Sequence, residues 1–438
     1  MRKSLKNTIL FLLLMIPVIA SAAPIQRFPK PDFESGYERP ALQTPAARQL
    51  ALEYLDVVVL ITALSLASWL VLKKRSRRGL FLLMIFSLIY FGFWRKGCVC
   101  SVGSVQNVVY ALFSHDYAIP LTVLAFFVLP LIFTLFFGRT FCAAVCPLGA
   151  VQDVVVLKPT RLPKWLNDML GMIPHIYLGL AVLFAATGAG FLICRYDPFV
   201  AFFRFGGSFN MILFGAFLLL LGTVIARPYC RFMCPYGVLL NWMSRLSRRH
   251  MSITPSECIN CRLCEASCPF DAINFPNEEK PPEKRSTRTQ RLLLLVVLLP
   301  MLIAAGGWVG SLLHVPLSKG HFTVSLAEQI KLEEIGIQIE PTDETKAFRG
   351  TGKPIPQLYA EAREVQRQFK IGGWIFGAFI GLVFGLKLIN LSRFQRQKIY
   401  EADRGTCFSC GRCFQYCPVG QPDVDLEKLK QSLKLPDQ

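Results

Sequence analysis

The sequence predicts an all-α polytopic membrane protein of about seven transmembrane helices after a signal peptide, with cysteine-rich segments at the water boundary. Three observations carry that expectation. Of 438 residues, 53% are hydrophobic, and mean hydropathy is +0.42, too apolar for a soluble chain of this length. Seven apolar runs are long enough, or nearly so, to cross a hydrocarbon core of about 30 Å. Basic clusters between the runs assign each loop to a side. The net charge of +19 therefore reads as cytoplasmic loop charge. With no basic tail or nucleic-acid motif, a nucleic-acid partner is not expected.

The elements follow in order. MRKSLKN, TILFLLLMIPVIA and SAA give a basic start, a short apolar stretch and an A-x-A site at Ala20 to Ala22. That pattern is a secretory signal peptide over residues 1–22, cleaved near Ala22. The expected spans are Tyr54 to Leu72, Leu80 to Trp94, Ile119 to Phe137, Ile173 to Ile193, Phe209 to Ala226, Leu292 to Leu313 and Ile371 to Leu391. Ser104 to Phe113, between the second and third, reads as a re-entrant or interfacial helix. KKRSRR, Lys73 to Arg78, fixes the first connection as cytoplasmic. Arg139 to Met172, Arg227 to Arg291 and the tail from Ser392 then share that side. Val315 to Lys370 lies outside and contains two helix-like pieces, Ser325 to Glu334 and Gln357 to Gln368. It is a candidate docking surface for an outside partner. The glycine-rich TGAGF, Thr187 to Phe191, falls within a span and is expected to allow close helix packing.

The chain has 15 cysteines. Cys258, Cys261, Cys264 and Cys268 read C-x2-C-x2-C-x3-C-P, and Cys407, Cys410, Cys413 and Cys417 repeat the spacing. This is the bacterial ferredoxin run, in which three thiolates on a tight loop hold one cubane and the fourth ligates the other cluster. Zinc would require separated C-x2-C pairs, and disulfides are disfavoured on the reducing side of a membrane. Two [4Fe-4S] clusters are therefore expected. One would use Cys258, Cys261, Cys264 and Cys417, the other Cys407, Cys410, Cys413 and Cys268. The motifs are separated by two spans and an outside loop, so together they would form one split cytoplasmic module.

A second pattern lies at the span ends. FGRTFCAAVCPLGAVQDVV, Phe137 to Val155, is echoed by ARPYCRFMCPYGVLLNWM, Ala226 to Met243. Both have C-x3-C-P-x-G and an arginine before the first cysteine. Cys142, Cys146, Cys230 and Cys234 would then lie at one depth and could bind a further membrane iron–sulfur or metal centre. Arg139, Arg227 and Arg231 would offset its charge. The alternative is inert buried cysteine. KGCVCSVGSVQNVV, Lys96 to Val109, is a degenerate third copy that faces outside. Cys98 and Cys100, with Cys194 at the other outward end, could anchor a metal or form a structural disulfide.

These motifs resemble the membrane polyferredoxins represented by the nitrous-oxide-reductase regulator NosR and the quinol-dehydrogenase component NapH. The likeness covers roughly Tyr54 to Phe275, and the last motif by type. It implies a bacterial inner-membrane protein with cytoplasmic ferredoxin motifs, moving electrons between the quinone pool or cytoplasm and a periplasmic redox partner. This chain departs from NosR in having about thirty residues, not a flavin domain, between signal and first span. Flavin would therefore enter only through a partner. It departs from NapH in its long loop and last span.

The expected organisation is residues 1–22 signal peptide, 23–53 periplasmic segment, 54–250 five-helix membrane domain, 251–290 first ferredoxin motif, 291–313 span, 314–370 periplasmic loop, 371–391 span and 392–438 second ferredoxin motif. There is no C-x-x-C-H for c-type haem, and no Walker A or Rossmann motif. An electron-transfer subunit of an oxidoreductase complex is the leading reading. A maturation factor supplying electrons for metal loading of a periplasmic enzyme is the alternative. A metal transporter ranks last, because the spans hold almost no charged residues.

Overall fold

The computed structural model describes residues 49–97, 100–114, 117–253, 258–276, 285–337, 340–392, 397 and 399–419. The expected signal peptide and Cys98 lie outside the described residues. Described residues 49–325 and 359–419 belong to one compact unit, and 326–358 to a second.

The larger unit is helical because its sequence leaves no alternative. Apolar runs in lipid must satisfy every backbone N–H and C=O internally. Among the described residues, five helices are long and apolar enough to cross a membrane: Leu50–Lys74, Arg77–Trp94, Lys164–Ala186, Thr289–Leu312 and Ile355–Ser392. The shorter apolar helices Leu121–Phe137 and Phe209–Val224 occupy the other two expected positions. Ser101–Phe113 is helical too and buries its first turns, residues 101 to 106.

Two expectations change. TGAGF does not sit inside a helix. The span stops at Ala186, and Gly188 and Gly190 take φ of 70° and 139° with open space where a side chain would go. These glycines break the helix. Gln357 to Gln368 is not a separate helix but the start of the 38-residue helix Ile355–Ser392.

That long helix packs on Arg285–Leu312 through facing glycines. A Cβ at Gly306, Gly310, Gly373, Gly377 or Gly381 would overlap backbone of the opposite helix. Small residues at such a seam let two helices approach backbone to backbone. The consequence is positional: the pair returns the chain to the side from which it left.

The two ferredoxin motifs meet there. Ile273–Asn274 (β1) pairs antiparallel with Glu401–Ala402 (β2), in the register Ile273 to Ala402 and Asn274 to Glu401. The Asp403 N–H donates to the Ala272 carbonyl at 2.9 Å. Arginines tie this module to the helices. Arg75 donates to the Ser252 carbonyl at 3.1 Å and stacks on Phe414 at 5.2 Å. Arg139 donates to the Gly405 carbonyl at 3.1 Å.

In the smaller unit, Thr342 caps the helix Asp343–Gly350 by accepting from the Thr345 N–H. Glu333 accepts from the Thr345 hydroxyl and from Arg349, both at 2.6 Å.

Gly377→Leu should force the glycine seam apart. Overpacking of this kind costs about 1–3 kcal/mol, and detergent-solubilised protein should melt several degrees earlier by fluorescence-detected size exclusion. Gly350→Ala, which meets open space, should leave the melting point unchanged.

Candidate metal centres

The two ferredoxin loops share one backbone course. Asn260 and Arg262 in the first, and Ser409 and Gly411 at the same positions in the second, have φ of 53°, 64°, 52° and 79°. This left-handed backbone curls each loop around its cysteines. Cys264 and Cys413 sit on the short helices Leu263–Ser267 and Arg412–Gln415 that follow.

The loops exchange their fourth cysteines. Cys258, Cys261, Cys264 and Cys417 line one small cavity with Ile253 and Tyr400. Cys407, Cys410, Cys413 and Cys268 line another with Met251, Phe270 and Phe408. Burial pushes the Cys407 thiol up to about 12, with neighbouring Cys410 and Cys268 adding to the effect. Burial likewise pushes Cys264 up to about 12, with Cys261 and Cys258 adding. Thiols in this setting become thiolates only when a metal takes the charge. The donor set and its apolar surround fit a [4Fe-4S] cluster in each cavity.

The membrane motifs form a third group. Each is a short helix, a turn and a second helix: Thr140–Ala144 then Pro147–Val154, and Pro228–Phe232 then Pro235–Arg245. The proline opens each second helix, where its missing N–H costs nothing. The cysteine before it is the N-cap, and Cys234 Sγ accepts the Gly237 N–H at 3.3 Å. The motifs also interlock. A Cβ at Gly149 would lie 3.4 Å from Arg227, and one at Gly237 would lie 3.5 Å from Arg139. Each x-G thus accommodates the arginine that precedes the other motif. Gln152 Nε2 donates to Cys230 Sγ at 3.2 Å, and its Oε1 accepts the Tyr229 N–H at 3.0 Å. Cys142, Cys146, Cys230 and Cys234 are close enough to influence one another electrostatically.

Aromatic residues join this group to the ferredoxin module. Phe270 and Phe408 pack with ring centroids 4.7 Å apart. Cys142 and Cys230 touch the apolar cluster around them from one motif pair, and Cys268 and Cys407 from the other. Arg139 lies 4.2 Å over the Phe408 ring, and Arg227 lies 6.0 Å from it.

Asp153 anchors the electrostatics. It pairs with Arg77 at 2.7 Å, Arg227 at 3.3 Å and Arg412 at 3.3 Å. The side chains of Asp153 and Arg227 are fully buried. Burial alone would raise the Asp153 carboxyl, but Arg227, Arg77 and Arg412 hold it well below the usual carboxylate range. Sequence reasoning recorded Asp153 and Gln152 only as letters of a repeat. It read Phe270 only as part of the ferredoxin-like PFDAI that follows Cys268, and gave no role to Phe408. Recurrence of the glutamine as Gln106 was the available signal.

At the other end, Cys100 N-caps Ser101–Phe113 and Cys194 lies on Leu192–Arg195. Both line a cavity of about 340 Å³. Among the described residues, no three His, Cys, Asp or Glu side chains are gathered so as to hold a single metal ion. A cubane spreads its thiolates around four irons rather than one.

Comparison with known proteins agrees with this donor chemistry. A family described as "4Fe-4S binding domain" matches residues 119–165 and 208–254, each a span end with its C-x3-C-P motif. A second family of the same description matches residues 251–274. The chain is 38% identical over 55 residues to an uncharacterized protein of Methanocaldococcus jannaschii, covering 13% of this chain and 22% of that one. It is 30% identical over 118 residues to YccM of Escherichia coli K12, named for electron transport, covering 25% and 33%. It is 30% identical over 117 residues to NirI of Paracoccus denitrificans, covering 26% and 17%. The chain thus spans a third or less of the length of these relatives. No solved structure matches. Fold and matches together define a membrane protein with 4Fe-4S binding domains. Within that class, the partial likeness to YccM and NirI supports the resemblance to the NosR/NapH-type membrane polyferredoxins.

Asp153→Ala should leave three arginines without their shared carboxylate. Removing one member of a buried ion-pair network costs about 3–5 kcal/mol. Folded yield and thermal midpoint in detergent should both fall sharply.

Proposed function

We propose that the chain passes electrons between the cytoplasm or quinone pool and a periplasmic redox partner, as a component of the bacterial inner membrane with its ferredoxin motifs cytoplasmic. The observation that carries this reading is continuity. The cavity with Cys268, Cys407, Cys410 and Cys413 abuts the Cys142 and Cys230 pair through Phe270 and Phe408. Bound [4Fe-4S] clusters supply one-electron carriers. The protein fixes their spacing and excludes water.

In this reading Cys258, Cys261, Cys264 and Cys417 hold one cluster, and Cys407, Cys410, Cys413 and Cys268 the second. Cys142, Cys146, Cys230 and Cys234 hold a further membrane centre. Arg139 and Arg227 offset the charge of the thiolates, and Gln152 and the Gly237 N–H donate to sulfur, which favours the more negative state. The relative named for electron transport supports the role. A quinone or a flavin-bearing partner would complete the circuit outside.

Anaerobic purification in detergent, with iron and acid-labile sulfide per chain and EPR after reduction, tests the assignment. More than about eight irons, the two-cubane count, is expected, with one EPR signal lost in Cys142→Ser. A count of eight, unchanged in that variant, would remove the membrane centre from the scheme. Cys268→Ser should abolish the signal also lost in Cys407→Ser, and Cys417→Ser the one lost in Cys258→Ser. The opposite pairing would refute the exchange of fourth cysteines. Depleting the chain after its periplasmic partner has matured should stop electron flow at once; continued flow would point to the maturation role instead.

A further inference from the structure

We propose that the outward cavity is a second membrane iron–sulfur site, in which Asp197 takes the place that Cys234 occupies in the inner one. The proposal extends the electron-transfer reading above and shares its assignment of the inner cysteines.

The first support is sequence in register. FGFWRKGCVCSVG, Phe91 to Gly103, and FGRTFCAAVCPLG, Phe137 to Gly149, align without a gap, with Cys100 on Cys146 and Gly103 on Gly149, while Lys96 stands at Cys142 and Ser101 at Pro147. The facing segments align too. ICRYDP, Ile193 to Pro198, matches YCRFMCP, Tyr229 to Pro235, with one residue fewer. Cysteine, arginine and an aromatic residue come first in both. The residue before the proline is Cys234 in one and Asp197 in the other.

The second support is that the hydrogen bonds repeat. Gln152 Oε1 holds the N–H of Tyr229, the residue before Cys230, at 3.0 Å. Gln106 Oε1 holds the N–H of Ile193, the residue before Cys194, at 2.8 Å. Cys234 accepts a backbone N–H from the helix it opens. Asp197 also accepts a backbone N–H close by, from Phe199 at 2.9 Å, just ahead of the helix Val200–Arg204. Gly103 stands where Gly149 stands, and a Cβ there would lie 3.2 Å from Cys194 Sγ.

The third support is a donor with nothing to donate to. Gln152 Nε2 donates to the Cys230 sulfur. The equivalent Gln106 Nε2, on a fully buried side chain, has no hydrogen-bond partner among the described residues. An orphaned buried amide is costly, and its counterpart donates to the Cys230 sulfur. Cys100, Cys194 and Asp197 line the same cavity, with Arg204 on its wall and Arg95 paired there with Asp56 at 2.8 Å. Asp197 is 6% exposed. Cys100 is half-buried and Cys194 exposed, and thiolate donors of this kind select iron–sulfur clusters among other soft metal centres.

The site also lies next to the inner one. Cys100 and Cys146 line a single small void.

The test uses the full-length chain, purified anaerobically in detergent. Iron and sulfide per chain and reduced-state EPR are compared for wild type, Cys194→Ser, Asp197→Ala and Asp197→Cys. Cys194→Ser and Asp197→Ala should each lose roughly two to four irons and one EPR signal, while signals that depend on Cys230 and Cys407 persist. Asp197→Cys should keep its iron but shift the g-values and midpoint potential of that same signal, since thiolate replaces carboxylate. Should Asp197→Ala fail to accumulate, Asp197→Cys decides alone: an unshifted spectrum overturns the proposal. A wild type with the Cys230- and Cys407-dependent signals but no Cys194-dependent one overturns this site only. Absence of the Cys230-dependent signal would overturn the earlier reading instead.

Discussion

One buried carboxylate, Asp153, holds three arginines that arrive from far apart in sequence: Arg77 after the first span, Arg227 in the second membrane motif and Arg412 in the last ferredoxin motif. Water would ordinarily solvate these charges. Here the first turn of a membrane helix, a membrane cysteine motif and the ferredoxin module converge on the same carboxylate, so none can shift without exposing charge to a low-dielectric interior. One carboxylate cannot balance three guanidiniums. The excess positive charge sits beside the thiols of Cys142, Cys230 and Cys410, whose proximity in turn favours the charged state of Arg227. Charge on sulfur and charge on arginine are therefore parts of one balance.

The pseudo-symmetry of the membrane motifs follows from the same constraint. Each motif contributes an arginine to the neighbourhood of the other and a glycine to make room for it. A Cβ at Gly149 or Gly237 would come into contact with a guanidinium, at 3.4 and 3.5 Å, so these glycines stand directly against the arginines.

Much of this was legible in the residues. The ferredoxin spacing alone grouped Cys258, Cys261 and Cys264 with Cys417, and those thiols surround one cavity. The repeated C-x3-C-P grouped four more. The rest was not legible, for physical reasons. Glycine content does not reveal φ, so TGAGF read as a packing surface although Gly188 and Gly190 end a helix. The charged stretch before Ile371 hid the continuity of a 38-residue helix, since apolar length marks the lipid-spanning part and not where the helix begins. Asp153 is a single carboxylate on a short helix, and its arginine partners come from distant segments that no local pattern can supply.

The glycine seam between Arg285–Leu312 and Ile355–Ser392 has a consequence for biogenesis. The ribosome finishes the first ferredoxin motif well before the second, and only insertion of both late helices brings the second back to it. Any centre that takes cysteines from both motifs can be completed only once the chain is fully synthesised and embedded. Metal delivery to this module must therefore act on a membrane-resident acceptor, and a nascent chain stalled between the two helices would present two incomplete thiol sets to whatever oxidant reaches it.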